Sequence, residues 1–513
     1  MFDWIYIAVV AMLDKIIWTI DVGPSVHKFF LAPQVGNFRV FLGKIRAVRV
    51  HRYALKRVPA YRDYMSKQHY QGPRITATGA QLRDIPEIDK ASYVKQYPLT
   101  DKLTDGILPK KGVMLDESSG SSGKPTSWAR GAKERRFTRR IIQVAFKHLI
   151  QDQNVIVINT FAMGAWSTGF NTSLSLLEVS RVKSTGPDLT KAIDTLLELG
   201  PQFDYVITGY PPFLKQIADD KRVDFSKYNI SVIFGGEGIS EPMRQSLLEV
   251  FHNVTGSYGA SDLEINIAHE TEFTVGLRQA LIKDEPLRAA LLKQNRGIIP
   301  MIFQYNPYDY LFETNEKGEL LVTICRRENI SPRIRYNIHD LGHPEDFYAF
   351  KKRLKTLGRQ DLLKLVEFDF GVLFYYGRSD LSVDYYGGVV GPEEIRQIIN
   401  ANKDYNQKVA NFRLISYEDQ GHQKHLLFAL EAAEGAHIEA AEKQKLLNVI
   451  IDQLFVLNLD FKAGYEMADH KPEIRVYKPG EGIFDAVHKK VKNDYVWNID
   501  YDRAKAEGIV LND

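Results

Sequence analysis

Between residues 132 and 251 the chain alternates between apolar runs of strand length and stretches of helical period. A helix fits 132–150, with Phe137, Ile141, Val144 and His148 or Leu149 on one face. A strand fits NVIVINTF (154–161), a helix 189–199 and a strand DYVITG (204–209). Another helix leads to SVIFGG (231–236), and EPMRQSLLEVF (241–251) is helical again. Short β-rich runs separated by helical periods mean βα units and a mostly parallel sheet. In such sheets ligands bind beyond the carboxyl ends of the strands. Glycines mark the ends of these strands, at Gly164, Gly209, Gly235, Gly236 and Gly256.

With 513 residues the chain exceeds one ordinary core, so two or more domains are expected. A hydrophobic share of 44% with 26% charged residues is that of a globular protein. The formal net charge of +3 gives no case for nucleic-acid binding. The single cysteine, Cys325, excludes an intrachain disulfide and a cysteine-based zinc cluster, and fits a cytoplasmic chain.

Before the alternating region lies ESSGSSGKPTSWARG (117–131). Gly120 and Gly123 let the backbone take positive φ and approach a ligand closely. Ser118, Ser119, Ser121 and Ser122 add hydroxyls beside exposed amides, and Lys124 adds a positive charge. The combination suits polyphosphate, whose oxygens accept from amides and hydroxyls alike. The stretch departs from GxxxxGK[ST], which runs straight into a helix. Its glycines are closer together, and Pro125 biases Lys124 away from helical φ/ψ. The expectation is a loop between two strands, with VML (113–115) before it and TSW (126–128) after it. The alternative is a flexible Gly/Ser linker.

The stretch resembles the phosphate-binding signature of adenylate-forming enzymes, the superfamily of acyl-CoA ligases, luciferases and peptide-synthetase adenylation domains. VPAYRDYM (58–65) and IPEIDKASYVKQYPL (85–99) resemble the lead-in to this loop in the phenylacetate–CoA ligase branch. TFAMGAWSTGF (160–170) resembles a segment that lines the acyl pocket, so Phe161, Met163, Trp166 and Gly235 become pocket candidates; a buried aromatic turn is the alternative. GGEGISEPMR (235–244), with Gly236, Glu237 and Gly238, resembles the segment that packs on adenine. SYGASDLE (257–264) resembles Tyr-Gly-x-x-Glu, whose tyrosine stacks on adenine and whose acid helps hold magnesium. The resemblance thus implies nucleotide contacts from Ser257, Tyr258, Gly259, Ala260 and Ser261. Asp262 stands at the acid position with Glu264 beyond it, which leaves open which acid meets the metal; a shorter carboxylate still binds a hard cation. IRYNIHDLGH (334–343) is similar to Tyr-Arg-Thr-Gly-Asp, whose aspartate takes both ribose hydroxyls. Asn337, Ile338 and His339 replace three of its residues, so only Asp340 carries over. His339 and His343 read as surface histidines or supports for neighbouring groups rather than metal ligands.

FQYNP (303–307) and GELLVT (318–323) suggest a small antiparallel subdomain, and the charged stretch 345–370 an inserted, solvated helix. YYGRSDLSVDYYGGVVGPEEI (375–395) resembles the hinge motif Gly-Arg-x-Asp followed by a glycine turn. That implies Arg378 near the nucleotide and Asp380 as the pivot. The tail fits strands near 411–417, 424–431 and 473–477 and a helix near 437–456. Its end, GIFDAVHKKVKNDY (482–495), lacks the glycine-lysine pair of the superfamily's terminal motif. Lys489 and Lys490 are the nearest candidates for the catalytic lysine, with Lys492 a third.

FDWIYIAVVAMLDKIIWTI (2–20) lacks a basic n-region and a small-residue cleavage site, so a signal peptide is not expected. Its uncharged run, Trp4 to Leu13, is too short to span a bilayer. A surface or interfacial helix is expected, followed by a basic amphipathic helix (Arg39, Lys44, Arg46, Arg49, Arg52, Lys56, Arg57). That helix reads either as a solvated charged face over a packed one or, with its neighbour, as a peripheral membrane contact through 1–57.

The fold expectation is α/β: a large N-terminal domain (1–376) and a smaller, mobile α+β C-terminal domain (377–513). The N-terminal domain has mostly parallel sheets flanked by helices and a small antiparallel subdomain. The resemblance implies ATP- and Mg2+-dependent activation of a small carboxylic acid to acyl-AMP, then transfer to CoA. Transfer to a carrier-protein thiol or an amine, a non-catalytic nucleotide or acyl sensor, and a peripheral membrane assembly protein are the rival readings.

Overall fold

The computed structural model describes residues 2–19, 36–72, 75–76, 79–80, 82–117, 126–150, 154–164, 167–292, 299–378, 382–385, 388–419, 424–458, 461–462, 465–466, 468, 470–485, 488, 495–499 and 501–510. Two compact units are present. One comprises Met1–Ile239, Ser246–Ala280 and Met301–Tyr375, the other Ser240–Gln245, Leu281–Pro300 and Tyr376–Asp513.

The first unit opens with helices α1 (Phe2–Thr19), α2 (Gly36–Arg57) and α3 (Pro59–Lys67), then a short ribbon of β1 (Ile75–Thr76) and β2 (Gly79–Ala80). Val10 of α1 packs against Leu42 and Ile45 of α2. The basic helix divides: Arg52, Lys56 and Arg57 stay exposed, while the arginines before them turn inward. Arg39, Arg46 and Arg49 are buried, with Arg39 ion-paired to Asp369. Arg46 donates to Asp309 Oδ1 at 3.0 Å, and its guanidinium lies over the Tyr308 ring. A Cβ on Gly43 would sit 1.9 Å from the Pro307 carbonyl oxygen, so α2 passes against this turn in direct backbone contact. Long arginine stems cover apolar surface while their heads find carboxylates. Among the described residues no helix is long and apolar enough to cross a membrane.

Next come β3 (Met114–Glu117) and β4 (Ser127–Arg130), paired antiparallel, then α4 (Ala132–Ile150). The βα region follows: β5 (Val155–Asn159), α5 (Ser167–Leu176), β6 (Arg181–Ser184), α6 (Leu189–Leu199), β7 (Asp204–Gly209), α7 (Pro211–Asp219), β8 (Asn229–Gly235), α8 (Glu241–Leu248) and β9 (Asn253–Tyr258). Every residue of β5 is buried, as an apolar run covered on both faces requires. Phe146 and Ile150 of α4 and Leu176 of α5 pack on Val155, Val157 and Val206. Helix α6 starts at Asp188, whose carboxylate accepts from Lys191 N at 3.0 Å, and stops at Gly200 with φ 76°. Gly256 lies inside β9 rather than in a loop after it; a Cβ there would meet the Phe234 ring at 2.7 Å.

The antiparallel part consists of β10 (Ala268–His269), β11 (Met301–Tyr305), β12 (Tyr310–Thr314), β13 (Glu319–Ile324), β14 (Tyr336–Glu345) and β15 (Gly371–Arg378), with α9 (Glu272–Lys283) after β10. It continues the parallel sheet edge to edge. One sheet runs β12-β13-β14-β15-β11-β10-β9-β8-β7-β5-β6, parallel from β9 to β6 and antiparallel between β9 and β15. The segment read as an inserted solvated helix contains α10 (Phe347–Thr356), which is amphipathic. Its Phe347, Phe350 and Leu354 are buried, and Phe350 meets Phe374 of β15 edge-on at 5.8 Å.

The second unit holds the ribbon β16 (Val383–Tyr385) and β17 (Gly388–Val390), α11 (Pro392–Ala401), β18 (Val409–Glu418), β19 (Lys424–Ala432), α12 (Ala440–Leu457), β20 (Glu473–Tyr477), β21 (Val496–Ile499) and α13 (Tyr501–Ala506). Its sheet order is β20-β19-β18-β21. Alternation along β19 sends Leu426, Phe428 and Leu430 into a core with Ile395, Ile450 and Leu454. Leu427 and Ala429 face the opposite side, with Trp497, Ala504 and Ile509. Strand β21 and helix α13, which complete that second face, have no counterpart in the sequence-based expectation.

Candidate nucleotide-binding site

The glycine-serine stretch is held by a hairpin, as expected from its flanks. Glu117 pairs with Ser127 and Leu115 with Ala129, so β3 and β4 diverge directly into it. Ser118, Ser119, Gly120, Ser121, Ser122, Gly123 and Lys124 themselves lie outside the described residues, as do Trp166, Asp380, Lys489, Lys490 and Lys492.

The base of that hairpin is tied to the loop after β9 by one arginine. Arg130, buried at the end of β4, donates Nε to Asp116 Oδ2 at 2.8 Å and a terminal nitrogen to Glu134 Oε1 at 3.2 Å. It also donates to the carbonyls of Ser261 and Leu263, each at 2.5 Å. Its planar fork thus joins β3, β4, α4 and the 259–264 loop. Burial pushes the Glu134 carboxyl up despite Arg130 beside it.

The loop is tight. Ala260 N donates to Glu264 O at 3.1 Å and Leu263 N to Ala260 O at 3.0 Å. A Cβ on Gly259 would stand 2.6 Å from Glu264 O, so glycine is required there. Ser257 donates its hydroxyl to Asn266 Oδ1 at 2.9 Å.

Strand β14 meets this loop twice. Tyr258 donates to Asp340 Oδ2 at 2.5 Å, and Tyr336 donates to Asp262 Oδ2 at 2.8 Å. The first ring packs against Phe303 and Tyr375 at centroid distances of 5.5 and 5.2 Å. Asp340 reaches Tyr258 from a bulge. Across from Glu319 and Leu321, two residues apart on β13, stand Leu341 and Asn337, four apart on β14. Within that bulge His339 has φ 62°, and its amide donates to Asn337 Oδ1 at 2.7 Å. The imidazole of His339 lies between Glu319 (Nδ1–Oε1 3.2 Å) and Asp89 (Nε2–Oδ2 3.5 Å). His339 holds the Asp89 carboxyl well below its usual range.

The two acids beyond Tyr258 differ sharply. Asp262 is partly exposed, with Lys90 Nζ 3.9 Å away. Glu264 is 2% exposed; its Oε1 accepts from Asn329 at 3.0 Å and its Oε2 from Tyr310 at 2.8 Å and from Arg326. Burial penalises the Glu264 charge, but Arg326 and Arg130 hold its carboxyl below the usual range. Arg326 in turn lies over the Phe137 ring, and Arg333, over Trp128, donates Nε to the Asp262 carbonyl at 2.8 Å.

At the ends of β5 and β8, Phe161 faces Gly235; a Cβ on Gly235 would meet its ring at 3.5 Å. Met163 stands beside Gly186, and Gly236 has φ 87°. Glu237 accepts from Tyr210 at 2.5 Å. A Cβ on Gly238 would meet Met301 at 2.8 Å. Arg378 ends β15 in a half-buried position.

Sequence reasoning passed over Arg130, Tyr336 and Arg333. Arg130 lay inside the glycine-serine stretch, but its acceptors on the 259–264 loop are over 130 residues away in the chain. Tyr336 stands at the tyrosine of the Tyr-Arg-Thr-Gly-Asp match, and Arg333 carries no motif of its own.

No known family model and no curated protein matches the sequence. Solved structures do resemble it. 2-Hydroxyisobutyryl-CoA ligase in complex with 2-HIB-AMP and CoA, in its thioesterification state, superposes with a TM-score of 0.51 at 14% identity, covering 93% of each chain. An open conformation of that ligase gives 0.51 at 13% identity, covering 90% of this chain and 91% of the other. The α/β architecture described above is therefore one that this chain shares with 2-hydroxyisobutyryl-CoA ligase.

Proposed function

We propose that the protein is an adenylate-forming acyl ligase of the phenylacetate–CoA ligase type. It activates a small carboxylic acid with ATP to acyl-AMP and pyrophosphate, then transfers the acyl group to CoA. The observation that carries this reading is the convergence of three separate motifs. The hairpin bearing the glycine-serine loop is fastened by Arg130 to the 259–264 loop, and Asp340 is hydrogen-bonded to Tyr258. The shared fold supports it.

In this reading Ser118 to Lys124 hold the β and γ phosphates. Tyr258 and the 236–238 segment receive adenine, with Ser257, Gly259, Ala260 and Ser261 shaping its edge. Asp340 orients the ribose. Phe161, Met163, Trp166 and Gly235 line the acyl pocket, and their apolar surface favours an apolar or aromatic acid. The donor set fits a hard cation at Asp262 rather than Glu264, whose two oxygens are already engaged by Arg326, Tyr310 and Asn329. Magnesium bound there with ATP supplies charge neutralisation at the phosphates. Lys489 or Lys490, with Lys492 next, stabilises charge at the α-phosphate and acyl oxygens, and Arg378 approaches the nucleotide. Little covalent chemistry falls to the chain; it aligns carboxylate and α-phosphate and stabilises the developing charge. Asp380 is the pivot about which the second unit moves for transfer.

ATP–pyrophosphate exchange measured across a panel of carboxylic acids tests the proposal. Exchange with at least one acid, weakened about 10–150-fold in Lys124→Ala, is the expected result. ATP binding without exchange for any acid would replace the enzyme by a nucleotide sensor. Exchange without thioester formation would move the acceptor from CoA to a carrier thiol or an amine.

A further inference from the structure

The second unit carries a cluster unrelated to the site above. Asp419, His425 and His470 each offer a ligand atom, and these atoms lie within 4.8 Å of one another. They come from three chain segments meeting at one end of the β18–β19 sheet. Asp419 follows β18, and His425 sits in β19 directly across from Tyr417. His470 precedes β20, which joins β19 in parallel register at Leu427↔Glu473.

The three groups are close neighbours that an ion would draw together. His425 Nε2 lies 2.9 Å from Asp419 Oδ2. Two donors each about 2.1 Å from one zinc ion, at angles of about 90–109°, stand about 3.0–3.4 Å apart. The His425 ring stacks on Tyr417 at 4.7 Å and on His470 at 4.4 Å; a shared ion requires the exposed His470 ring to turn out of that stack, since stacked imidazoles aim their in-plane lone pairs side by side. The backbone of His470 is fixed, because its carbonyl accepts from the Tyr385 hydroxyl of β16. Two imidazoles with one carboxylate suit a borderline divalent ion; magnesium and calcium prefer an all-oxygen set.

We propose that Asp419, His425 and His470 bind one zinc ion, with solvent completing its coordination. The ion clips the segment before β20 to the β18–β19 turn and stabilises the second unit.

The test is calorimetric titration of Zn2+ into the full-length chain, stripped of metal with a chelator and dialysed. One equivalent binds, and the unfolding temperature rises with Zn2+. His470→Ala, at an exposed position, loses both the binding step and the rise. His425→Ala loses them too, and Asp419→Asn binds more weakly. Excess Mg2+ does not displace the ion. If His425→Ala fails to fold because its ring is stacked, His470→Ala alone decides. Unchanged Zn2+ stoichiometry in His470→Ala, or no Zn2+ binding by the wild-type chain, overturns the proposal.

Discussion

Replacing Arg130 with methionine keeps much of the side-chain volume and removes the guanidinium. Four acceptors lose their donor: the carboxylates of Asp116 and Glu134 and the carbonyls of Ser261 and Leu263. Both carboxylates are buried, at 3% and 1% exposure, so water does not replace what is lost. Removing one partner of a buried ion pair costs about 3–5 kcal/mol, so amide exchange limited by opening of this region should accelerate about 10²–10³-fold. Hydrogen exchange read by mass spectrometry over 114–130 and 258–267 measures it locally, without assuming that a two-unit chain unfolds in one step. The pH dependence supplies a second reading. Glu134 has a raised folded pKa, and loss of Arg130 raises it further. The folded variant then binds more protons than the unfolded chain, so its stability falls as pH rises from the unfolded value through the folded one. The destabilisation should be larger at pH 8 than at pH 5. Arg130→Lys, a single point charge, should fall between the two. Exchange within threefold of wild type at both pH values would refute the reasoning.

The two acids near Tyr258 should separate cleanly. Asp262→Asn should depress Mg2+-dependent exchange with unfolding unchanged, whereas Glu264→Gln should destabilise the fold by about 3–5 kcal/mol because Arg326 loses its buried partner. In the glycine-serine loop, Lys124→Ala should weaken ATP use by about 1.5–3 kcal/mol, read as kcat/KM for ATP, and Gly123→Val should weaken it by blocking backbone approach. His51, fully buried beside Tyr61 (Nδ1–Oη 2.8 Å), is pushed down to about 4 by burial and by Arg52. A depressed histidine pKa contributes stability above its unfolded value that is lost as pH falls from 6.5 toward 4. The loss is about 3 kcal/mol; His269, pushed down to about 4 by burial, adds its own in both proteins, so a denaturation series across that range should fall about 3 kcal/mol less in His51→Gln than in wild type.

Much of the parallel half was legible because its signal is local. The run DYVITG and the helix Leu189–Leu199 sit where the pattern placed them, and Asp188 and Gly200 mark that helix's ends. The hairpin around the glycine-serine loop was legible for the same reason: apolar flanks and a proline after the lysine. What stayed hidden depends on long-range partners. Arginines at helical spacing look like a wet face until Asp369 and Asp309 are brought to them. The charged stretch 345–370 looked solvated because its inward residues, Phe347, Phe350, Leu354, Leu362 and Phe370, are spread among charged ones. Asp340 was singled out by its register, but its approach to Tyr258 depends on a bulge whose extra residues are set by pairing with β13. The choice between Asp262 and Glu264 needed burial and partners, which a run of two nearby acids does not encode.

The pairing of Arg39 with Asp369 has a consequence for how the protein is made. The two residues are 330 positions apart in the chain. At ribosomal rates of about 5–20 residues per second, helix α2 emerges roughly 15–65 s before its carboxylate partner exists. Through that interval the arginines of α2 and the apolar residues between them lack their final setting. Helix α1 has Phe41, Leu42 and Ile45 of α2 to rest against. The nascent N-terminus is therefore the segment in which a holdase would have the longest window to act, and closure of the first unit comes late in synthesis for its earliest-made helices.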